Sequence, residues 1–279
     1  MPSILQRVAN RQKQVRQYMK LASGPGDWIS FFALGVARGH PFGGNDMVSR
    51  VGRRFFSQIV ARPRNLHGLS IMLDPADVTH MVIFDELFLE NNYDLDLVPF
   101  QPDQIFDCGG HIGMFTVLAS SRFKECPLTV FEPNPKNAAW IRRQIAGNSL
   151  KAELIEGAVS TYDGSAVFED RVSFSGHLAD GTQPGQSAGQ YTVKVVNLLE
   201  ILRQRNPQRL LLKLDVEGEE TKILPVLMDL LPRTSAVFFE THDGDKGFET
   251  AKALFEATGF KVERRRAWDF CIDGFALRQ

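Results

Sequence analysis

The heptapeptide Asp107-Cys-Gly-Gly-His-Ile-Gly113 indicates the fold of this 279-residue chain. The apolar run Ile105–Cys108 leads into it and a helical pattern begins near Met114, so the order is strand, glycine-rich turn, helix. Glycines allow the backbone to approach a ligand closely, and the first amides of a helix attract anions. Open α/β sheets bind ligands at such turns, beyond the carboxyl ends of their strands. The turn therefore supplies candidate ligand-binding residues, namely Gly109, Gly110, His111 and Gly113.

Short apolar runs and helical stretches alternate through the second half of the chain. The runs that predict strands are Ile105–Cys108, Leu128–Phe131, Ala152–Ile155, Leu210–Leu214 and Ala236–Phe239. This alternation is typical of a parallel sheet covered by helices on both faces. Only Arg264–Trp268 separates two further runs, Phe260–Glu263 and Asp269–Ala276, and so short a connection permits an antiparallel hairpin but no crossover helix. We therefore predict an α/β fold of the Rossmann-like, seven-stranded methyltransferase type, with five parallel strands and a C-terminal antiparallel hairpin.

Two prolines near residue 100 mark a domain boundary. Residues 1–100 are predicted to form an N-terminal helical appendage that covers the site, with a helix over Trp28–Ala37. Residues 101–279 are predicted to form the core domain. A stretch rich in Gly, Ser and Asp at about 161–190 predicts a loop or hairpin inserted into this core.

The first 20 residues differ in charge from the rest of the chain. They carry cations at helical spacing and no acid, the cations being Arg7, Arg11, Lys13, Arg16 and Lys20. This basic amphipathic helix is a candidate for a weak contact with a membrane surface or a partner. The alternative is that it packs on its own domain or on a second subunit. In the second case the protein would be a homo-oligomer. The whole chain has 32 Lys and Arg against 33 Asp and Glu, so no positive field attracts nucleic acid. Three cysteines without metal-type spacing indicate free thiols, and we expect a cytoplasmic protein.

The acid that precedes the glycines discriminates between ligands. Against the dinucleotide fingerprint G-x-G-x-x-G, Cys108 replaces the first glycine, and the carboxylate of Asp107 would repel a pyrophosphate. A carboxylate at this place suits the positively charged α-amino group of S-adenosylmethionine. Glu132, which ends the second strand, can accept both hydrogen bonds of a ribose diol. The remaining candidates for cofactor contact are Asn134 and the adenine edge Ala158 and Val159.

Acidic residues and a histidine follow the fourth and fifth strands, which are neighbours in this topology. An alcohol is a poor nucleophile near neutral pH, so its methylation gains ~10²–10⁴-fold in rate from a positioned base. His242 is the first candidate for that base, and Asp215, Glu217 and Glu240 are the further catalytic candidates.

Two alternatives concern the charges at these strand ends. Asp215, Glu240 and His242 could also hold a divalent cation, but no further ligand is evident and no metal is expected. Lys213, in the fourth strand, is expected either to pair with Glu219 or Glu240 or to be a solvated structural lysine.

Taken in order, the segments DCGGHIG, FEPNPKN, KLDVEGEE and FFETHD resemble the FkbM family of methyltransferases over residues 67–275. The first motif matches except at Gly110 and His111, which replace the Ala and Asn of the family. Phe131–Pro135 and Lys213–Gly218 match without departure. The resemblance implies an O-methyltransferase that acts on natural-product hydroxyls or on sugars of cell-surface glycans. The cofactor contacts that it implies are Asp107, Gly109, Glu132 and Asp215.

These observations predict an S-adenosylmethionine-dependent O-methyltransferase that acts on a hydroxyl of a small natural product or a glycan sugar. One alternative is a nicotinamide-dependent oxidoreductase on a Rossmann fold, which Cys108, Asp107 and the closing hairpin disfavour. Another is a non-catalytic scaffold that binds a nucleoside. Methylation of nucleic-acid bases is disfavoured because Asp215-Val-Glu-Gly stands where an Asn- or Asp-Pro-Pro-aromatic segment is expected.

Overall fold

The computed structural model describes residues 12–13, 15–38, 58–170, 176–178, 190–267 and 271–279. The first part of the predicted basic helix lies outside these ranges, and residues 15–19 are helical. The chain forms two compact units. The smaller contains the residues up to Asn91 together with Arg143–Leu150, and the larger contains Asn92–Arg142 and Lys151–Gln279. None of the helices in the described ranges combines the length and apolar character that a bilayer crossing requires.

The smaller unit is built around aromatic side chains. Its elements are helix α1 (Trp28–Arg38), strands β1 (Ile59–Ala61) and β2 (Ile71–Leu73), and helix α2 (Val78–Phe88). The two strands pair antiparallel. The buried rings of Tyr18 and Phe84 stack with their centroids 5.9 Å apart. Such pairs stabilise beyond the burial of their area, so this contact anchors the segment before α1 to α2.

The larger unit contains the remaining strands and helices, except that the end of one helix, from Arg143 onward, belongs to the smaller unit. Its strands are β3 (Gln104–Cys108), β4 (Leu128–Phe131), β5 (Ala152–Ile155), β6 (Ala158–Ser160), β7 (Gly164–Asp170), β8 (Gly176–Leu178), β9 (Gln190–Asn197), β10 (Arg209–Leu214), β11 (Thr234–Thr241), β12 (Lys261–Ala267) and β13 (Ile272–Arg278). Its helices are α3 (Met114–Arg122), α4 (Pro135–Asn148), α5 (Leu198–Arg205), α6 (Glu220–Leu227) and α7 (Gly244–Ala257). The three cysteines are free and buried, as their number and spacing predict.

Seven of these strands form one mixed sheet in the order β5-β4-β3-β10-β11-β13-β12. Neighbouring strands from β5 to β11 are parallel, whereas β13 is antiparallel to both β11 and β12. The predicted Rossmann-like sheet with its closing hairpin is therefore confirmed. Because β3, β10 and β11 are adjacent and parallel, the residues that follow them lie along one edge of the sheet.

The closing hairpin differs in its limits from the prediction. Strand β12 continues to Ala267, through the segment predicted to be the connection. Its side chains are mostly exposed or half-buried, as is usual for a strand at the edge of a sheet. The arginines of Arg264–Arg266 therefore belong to a charged edge strand. Their polar composition had led to the prediction of a connection at this place.

The segment after β5 forms a second, four-stranded sheet in the order β6-β9-β7-β8. Strands β7 and β9 pair antiparallel, and β6 pairs parallel with β9. This sheet includes part of the stretch 161–190, of which residues 171–175 and 179–189 lie outside the described ranges. Within the described residues, β7 pairs antiparallel with both β8 and β9.

Two charged side chains interrupt the buried central strands of the main sheet. Asp107 in β3 is fully buried, and Lys213 in β10 is 5% exposed. They are register partners on neighbouring strands. Burying a charge is costly unless it is paired with an opposite charge. The position of Asp107 beside Lys213 is therefore the favourable arrangement for both side chains.

Candidate active site

The turn between β3 and α3 is packed tightly against the end of β10. Gly109 has a φ of +84°, and a Cβ on it would lie 1.8 Å from the backbone oxygen of Asp215. A Cβ on Gly110 would lie 2.3 Å from Cγ2 of Val130. A larger residue at either position would have to displace the turn or a neighbouring strand. The glycines are therefore required by the geometry of this edge of the sheet.

Several amides of this turn have partners inside the protein. The N–H groups of Gly109 and Gly110 donate to the carbonyl of Phe131, at 3.1 and 2.9 Å. The N–H of Gly113 donates to the carbonyl of Gly110 at 2.7 Å. These three amides are therefore occupied in shaping the turn, and a ligand would meet the partly exposed backbone of Gly109 instead.

Glu132, which follows β4, is a buried carboxylate that joins two turns. Its Oε2 accepts a hydrogen bond from the N–H of His111 at 2.8 Å, and its Oε1 accepts one from the N–H of Asn134 at 2.8 Å. Burial raises the pKa of Glu132 to about 7, although these hydrogen bonds oppose the shift. Nδ2 of Asn137 also donates to Oε1 at 3.5 Å. Each carboxylate oxygen has two lone pairs, so Oε2 keeps one for a hydroxyl of a ligand.

Lys213 lies between two acids and the glycine-rich turn. Its Nζ is 3.2 Å from Oδ2 of Asp215 and 3.6 Å from Oδ1 of Asp107. It also donates a hydrogen bond to the carbonyl of Gly109 at 2.7 Å. Burial lowers the pKa of Lys213, but the two acids more than offset this and raise it above its ordinary value. The side chain is therefore a fixed cation at the junction of β3 and β10.

The pairing of Lys213 with Glu219 that the sequence predicts is wrong. Glu219 accepts a hydrogen bond from Oγ of Ser160 at 2.7 Å and pairs with Lys222 at 2.6 Å. Lys213 is also not solvated, because only 5% of it is exposed. Glu240 contributes a weaker electrostatic attraction to it than the two acids beside it. Of its two acids, Asp215 is two residues away along the chain, whereas Asp107 lies across on β3, where spacing along the chain gives no indication of it.

Asp107 is completely enclosed by protein. Its Oδ2 accepts a hydrogen bond from Oγ1 of Thr116 at 2.6 Å, and its Oδ1 faces Lys213. Burial raises the pKa of Asp107, and the charge of Lys213 opposes that shift. None of its surface is exposed, so here the carboxylate faces protein groups and not a ligand. The acid that a ligand can reach at this place is the partly exposed Asp215.

The predicted adenine edge is part of the second sheet. Ala158 and Val159 lie in β6 and are 8% and 2% exposed. Val159 belongs to the same buried cluster as Phe131, and Ala158 to a smaller cluster with Phe168. Little of either side chain is open to a flat ligand in this arrangement, and the adenine contact stays a prediction.

The four predicted catalytic residues converge at the carboxyl ends of β10 and β11. Nε2 of His242 is 3.0 Å from Oε2 of Glu217 and 3.4 Å from Oε1 of Glu240. Asp215 offers a carboxylate oxygen within 4.8 Å of ligand atoms of Glu240 and His242. All four residues are partly exposed, so a molecule from solution can reach them.

The charges of this cluster determine where its protons reside. Burial lowers the pKa of His242, but the carboxylates of Glu217 and Glu220 raise it to about 12. His242 is therefore cationic at neutral pH in this arrangement, without a lone pair that could take a proton. Burial and the charge of Asp215 raise the pKa of Glu240 well above its ordinary value, and burial also raises that of Glu217. The cluster therefore carries its positive charge on His242, and its proton-accepting groups are carboxylates.

Sequence reasoning misses two acids that surround the cluster. Oε1 of Glu220 lies 3.5 Å from Nδ1 of His242 and accepts a hydrogen bond from the N–H of Val216 at 2.7 Å. Asp273 is the register partner of Glu240 in the β11–β13 pair, and burial raises its pKa to about 6. Glu220 belongs to the quoted motif KLDVEGEE, which contained the signal. Asp273 becomes visible only when the register of the hairpin is known.

Asp215, Glu240 and His242 have the residue types of a cation site. Each offers one ligand atom, and these atoms lie within 4.8 Å of one another. Sequence reasoning expects no metal because a further ligand is not evident, and among the described residues the group within this distance consists of these three side chains. The expectation that no metal is needed stays a prediction.

Comparisons with known proteins show the family to which this chain belongs. The methyltransferase FkbM domain family matches residues 107–265, which is 159 of the 279 residues. Methyltransferase 1 of Beauveria bassiana (strain ARSEF 2860) is 29% identical over 209 residues, which cover 66% of this chain and 82% of that protein. The 31-O-demethyl-FK506 methyltransferase FkbM of Streptomyces tacrolimicus is 26% identical, covering 64% and 81%. The hexuronic acid methyltransferase AglP of Haloferax volcanii is 26% identical, covering 56% and 63%. This chain belongs to the FkbM family of methyltransferases, and its methyl donor is S-adenosyl-L-methionine.

Proposed function

We propose that the protein transfers a methyl group to a hydroxyl of a small natural product or a glycan sugar. The observation that carries the proposal is the convergence of Asp215, Glu217, Glu240 and His242 beside the glycine-rich turn. A hydroxyl that enters this edge would meet partly exposed carboxylates that can accept its proton. A positioned base of this kind contributes ~10²–10⁴-fold to the rate.

The ends of β3, β4 and β10 have groups that fit the methyl donor. Gly109 offers backbone without a side chain, and the carboxylate of Asp215 suits a cationic amino group. Oε2 of Glu132 can accept a hydrogen bond from a ribose hydroxyl, and the N–H of Asn134 holds Oε1 in place. S-adenosylmethionine, when bound, supplies a methyl group on a positively charged sulfur. The acidic character of this edge favours such a cation over the pyrophosphate of a nicotinamide dinucleotide.

The other predicted cofactor residues would act less directly. Gly110, His111 and Gly113 shape the turn through their backbone hydrogen bonds. Asp107 is enclosed, so it would act through its neighbours, Thr116 and Lys213. We therefore propose a supporting role for Asp107 in place of a direct contact with the amino group.

Glu240 is the proton acceptor that we propose, with Glu217 as the second candidate. A base works best when its pKa lies near the operating pH, and burial with the charge of Asp215 moves the pKa of Glu240 upward. His242, as a cation, would hold the two glutamates in position and stabilise negative charge on the acceptor oxygen. This assigns to His242 an orienting role in place of the base role that its position in the sequence suggests.

The names of two relatives support a hydroxyl as the acceptor. One is named for an O-demethyl natural product and the other for a hexuronic acid. The charge balance of this chain, with 32 basic and 33 acidic residues, gives no support to a nucleic-acid substrate. A small molecule or saccharide is therefore the partner that we propose.

The decisive experiment combines methyl transfer with a measurement of binding. Labelled S-adenosylmethionine is incubated with sugars, uronic acids and polyketide alcohols, and the products are analysed by mass spectrometry. We expect a methyl ether with at least one acceptor, and binding of S-adenosylhomocysteine by calorimetry. A folded protein that binds S-adenosylhomocysteine but methylates only nitrogen or sulfur would contradict the proposal. Binding without transfer to any acceptor would favour the scaffold alternative, and binding of NAD instead would favour the oxidoreductase.

A further inference from the structure

Lys213 is a buried cation to which methyl transfer, as proposed above, assigns no chemical step. Its Nζ donates to the carbonyl of Gly109 at 2.7 Å and lies 3.2 Å from Oδ2 of Asp215. The first group belongs to the turn after β3, and the second follows β10. One ammonium group therefore joins the two chain segments that form the edge of the candidate site.

An aromatic ring also lies near this ammonium group. Nζ of Lys213 lies 5.9 Å from the ring centroid of Tyr93. That ring packs edge-on against Phe115 at 5.3 Å and against Phe238 at 5.6 Å. Cations are attracted to the faces of such rings. The position of Nζ is therefore restricted by these oxygens and by the packed ring of Tyr93.

We propose that Lys213 is a positioning residue for the cofactor, which fixes the carbonyl of Gly109 and the carboxylate of Asp215 relative to one another. The inference rests on the proposed use of these two residues to bind S-adenosylmethionine. Hydrogen bonds from a charged donor are stronger than neutral ones, and an ammonium group has three donors. Lys213 can therefore donate to both oxygens at once, and its charge strengthens both contacts.

A purely structural lysine would have a different task, which is to neutralise the enclosed Asp107. The two roles can be separated because neutralisation becomes unnecessary when both charges are removed together. The carbonyl of Gly109 and the carboxylate of Asp215 would still lack their donor in such a double variant. Stability should then recover while cofactor binding does not.

The test compares the wild-type protein with Lys213→Met and with the double variant Asp107→Asn/Lys213→Met. Thermal unfolding reports stability, and calorimetric titration with S-adenosylhomocysteine reports Kd. We expect Lys213→Met to raise Kd by about tenfold or more. The double variant should regain most of the lost melting temperature but keep the raised Kd. The matched control is Lys222→Met, which removes an exposed lysine that pairs with Glu219 and should leave Kd unchanged.

The outcomes distinguish this inference from the proposed function. If Kd in the double variant returns to within about twofold of the wild type as its stability recovers, Lys213 is structural only and the inference is overturned. Unchanged Kd in Lys213→Met overturns it as well. If Lys213→Met does not fold, the double variant provides the same test, because neither position 107 nor position 213 then carries a buried charge. Wild-type protein that fails to bind S-adenosylhomocysteine contradicts the proposed function itself.

Discussion

Asp107 and Lys213 are register partners on neighbouring parallel strands, and their charged atoms lie 3.6 Å apart where almost no solvent reaches. The same Nζ is 3.2 Å from Asp215, so one cation lies between two acids. Removing one member of a buried ion pair leaves the other without compensation, which is strongly destabilising. The stability of the central sheet and the order of the candidate site therefore depend on the same three side chains.

Asp107→Asn should destabilise the fold. Because Asp215 remains to compensate Lys213 in part, we expect a loss of about 3 kcal/mol, the lower end of what breaking a buried pair costs. Urea unfolding measures this free energy. Asp229→Asn, at an exposed position, is the matched control and should stay within about 0.5 kcal/mol of the wild type. A loss of under about 1 kcal/mol in Asp107→Asn would mean that the pair is not energetically important.

Glu240→Gln should abolish most activity without weakening cofactor binding. The amide has a similar shape but cannot accept the proton of the acceptor hydroxyl, so kcat should fall ~10²–10⁴-fold. The Kd for S-adenosylhomocysteine should change by less than about threefold. Asp243→Asn replaces a nearby exposed acid and serves as the control. A Glu240→Gln enzyme with nearly full kcat would transfer the base role to Glu217.

Activity should rise with pH over a range that lies above the ordinary range for a glutamate. The base must be ionised to accept a proton, and burial with the charge of Asp215 raises the pKa of Glu240. The ascending limb of kcat/KM should therefore lie well above pH 4.3, the ordinary region for glutamate. His242, with a pKa raised to about 12 by Glu217 and Glu220 against the effect of burial, should add no limb near neutrality. If the residual activity of Glu240→Gln shows the same ascending limb of kcat/KM as the wild type, the limb belongs to another group.

Glu132 should make the folded state less stable as pH rises toward neutrality. Its pKa is raised by burial from 4.5 to about 7, so the folded protein holds a proton that the unfolded chain has released. The contribution is fully present below pH 4.5 and is lost as pH rises through about 7, with a maximum of roughly 3 kcal/mol. Glu132→Gln should flatten this part of the curve in urea unfolding at several pH values. Glu256→Gln, at an exposed position, should leave the slope as it is in the wild type.

Chelation should leave activity unchanged. The imidazolium of His242 lies 3.0 Å from Glu217 and 3.4 Å from Glu240, and thus already compensates carboxylates that a cation would bind. We expect enzyme dialysed against EDTA to keep its rate within about twofold, with no response to added Mg²⁺ or Mn²⁺. The prediction is contradicted if EDTA removes the activity, Mn²⁺ restores it, and Asp273→Asn weakens this restoration. That result would identify a cation site at Asp215, Glu240 and His242.

The sheet could be predicted from the sequence because its parallel strands are buried on both faces. Such strands are continuous apolar runs, as in Leu210–Leu214, and short connections limit the ways in which they can pair. The end of β12 was harder to predict. Its arginines lie on an edge strand, where exposure removes the apolar signal on which strand prediction depends.

The candidate site could be located from the sequence, but its electrostatics could not. Polar residues that follow neighbouring parallel strands lie close together. Because β10 and β11 are neighbours, the positions of Asp215 and His242 after these strands are enough to bring them together. The protonation of His242 depends on Glu220, whose approach to Nδ1 is set by the first turn of α6. Likewise, Lys213 reaches Asp107 across the strands, and only the register of β3 against β10 identifies that pair.

The closeness of Gly109 to the backbone of Asp215 limits how the enzyme can be redesigned. The oxygen of one residue occupies the volume that any side chain on the other would need. Mutant libraries that aim at new acceptors should therefore keep this junction intact and diversify the rim farther from it. Directed evolution would then explore acceptor specificity without repeatedly producing variants that no longer bind the methyl donor.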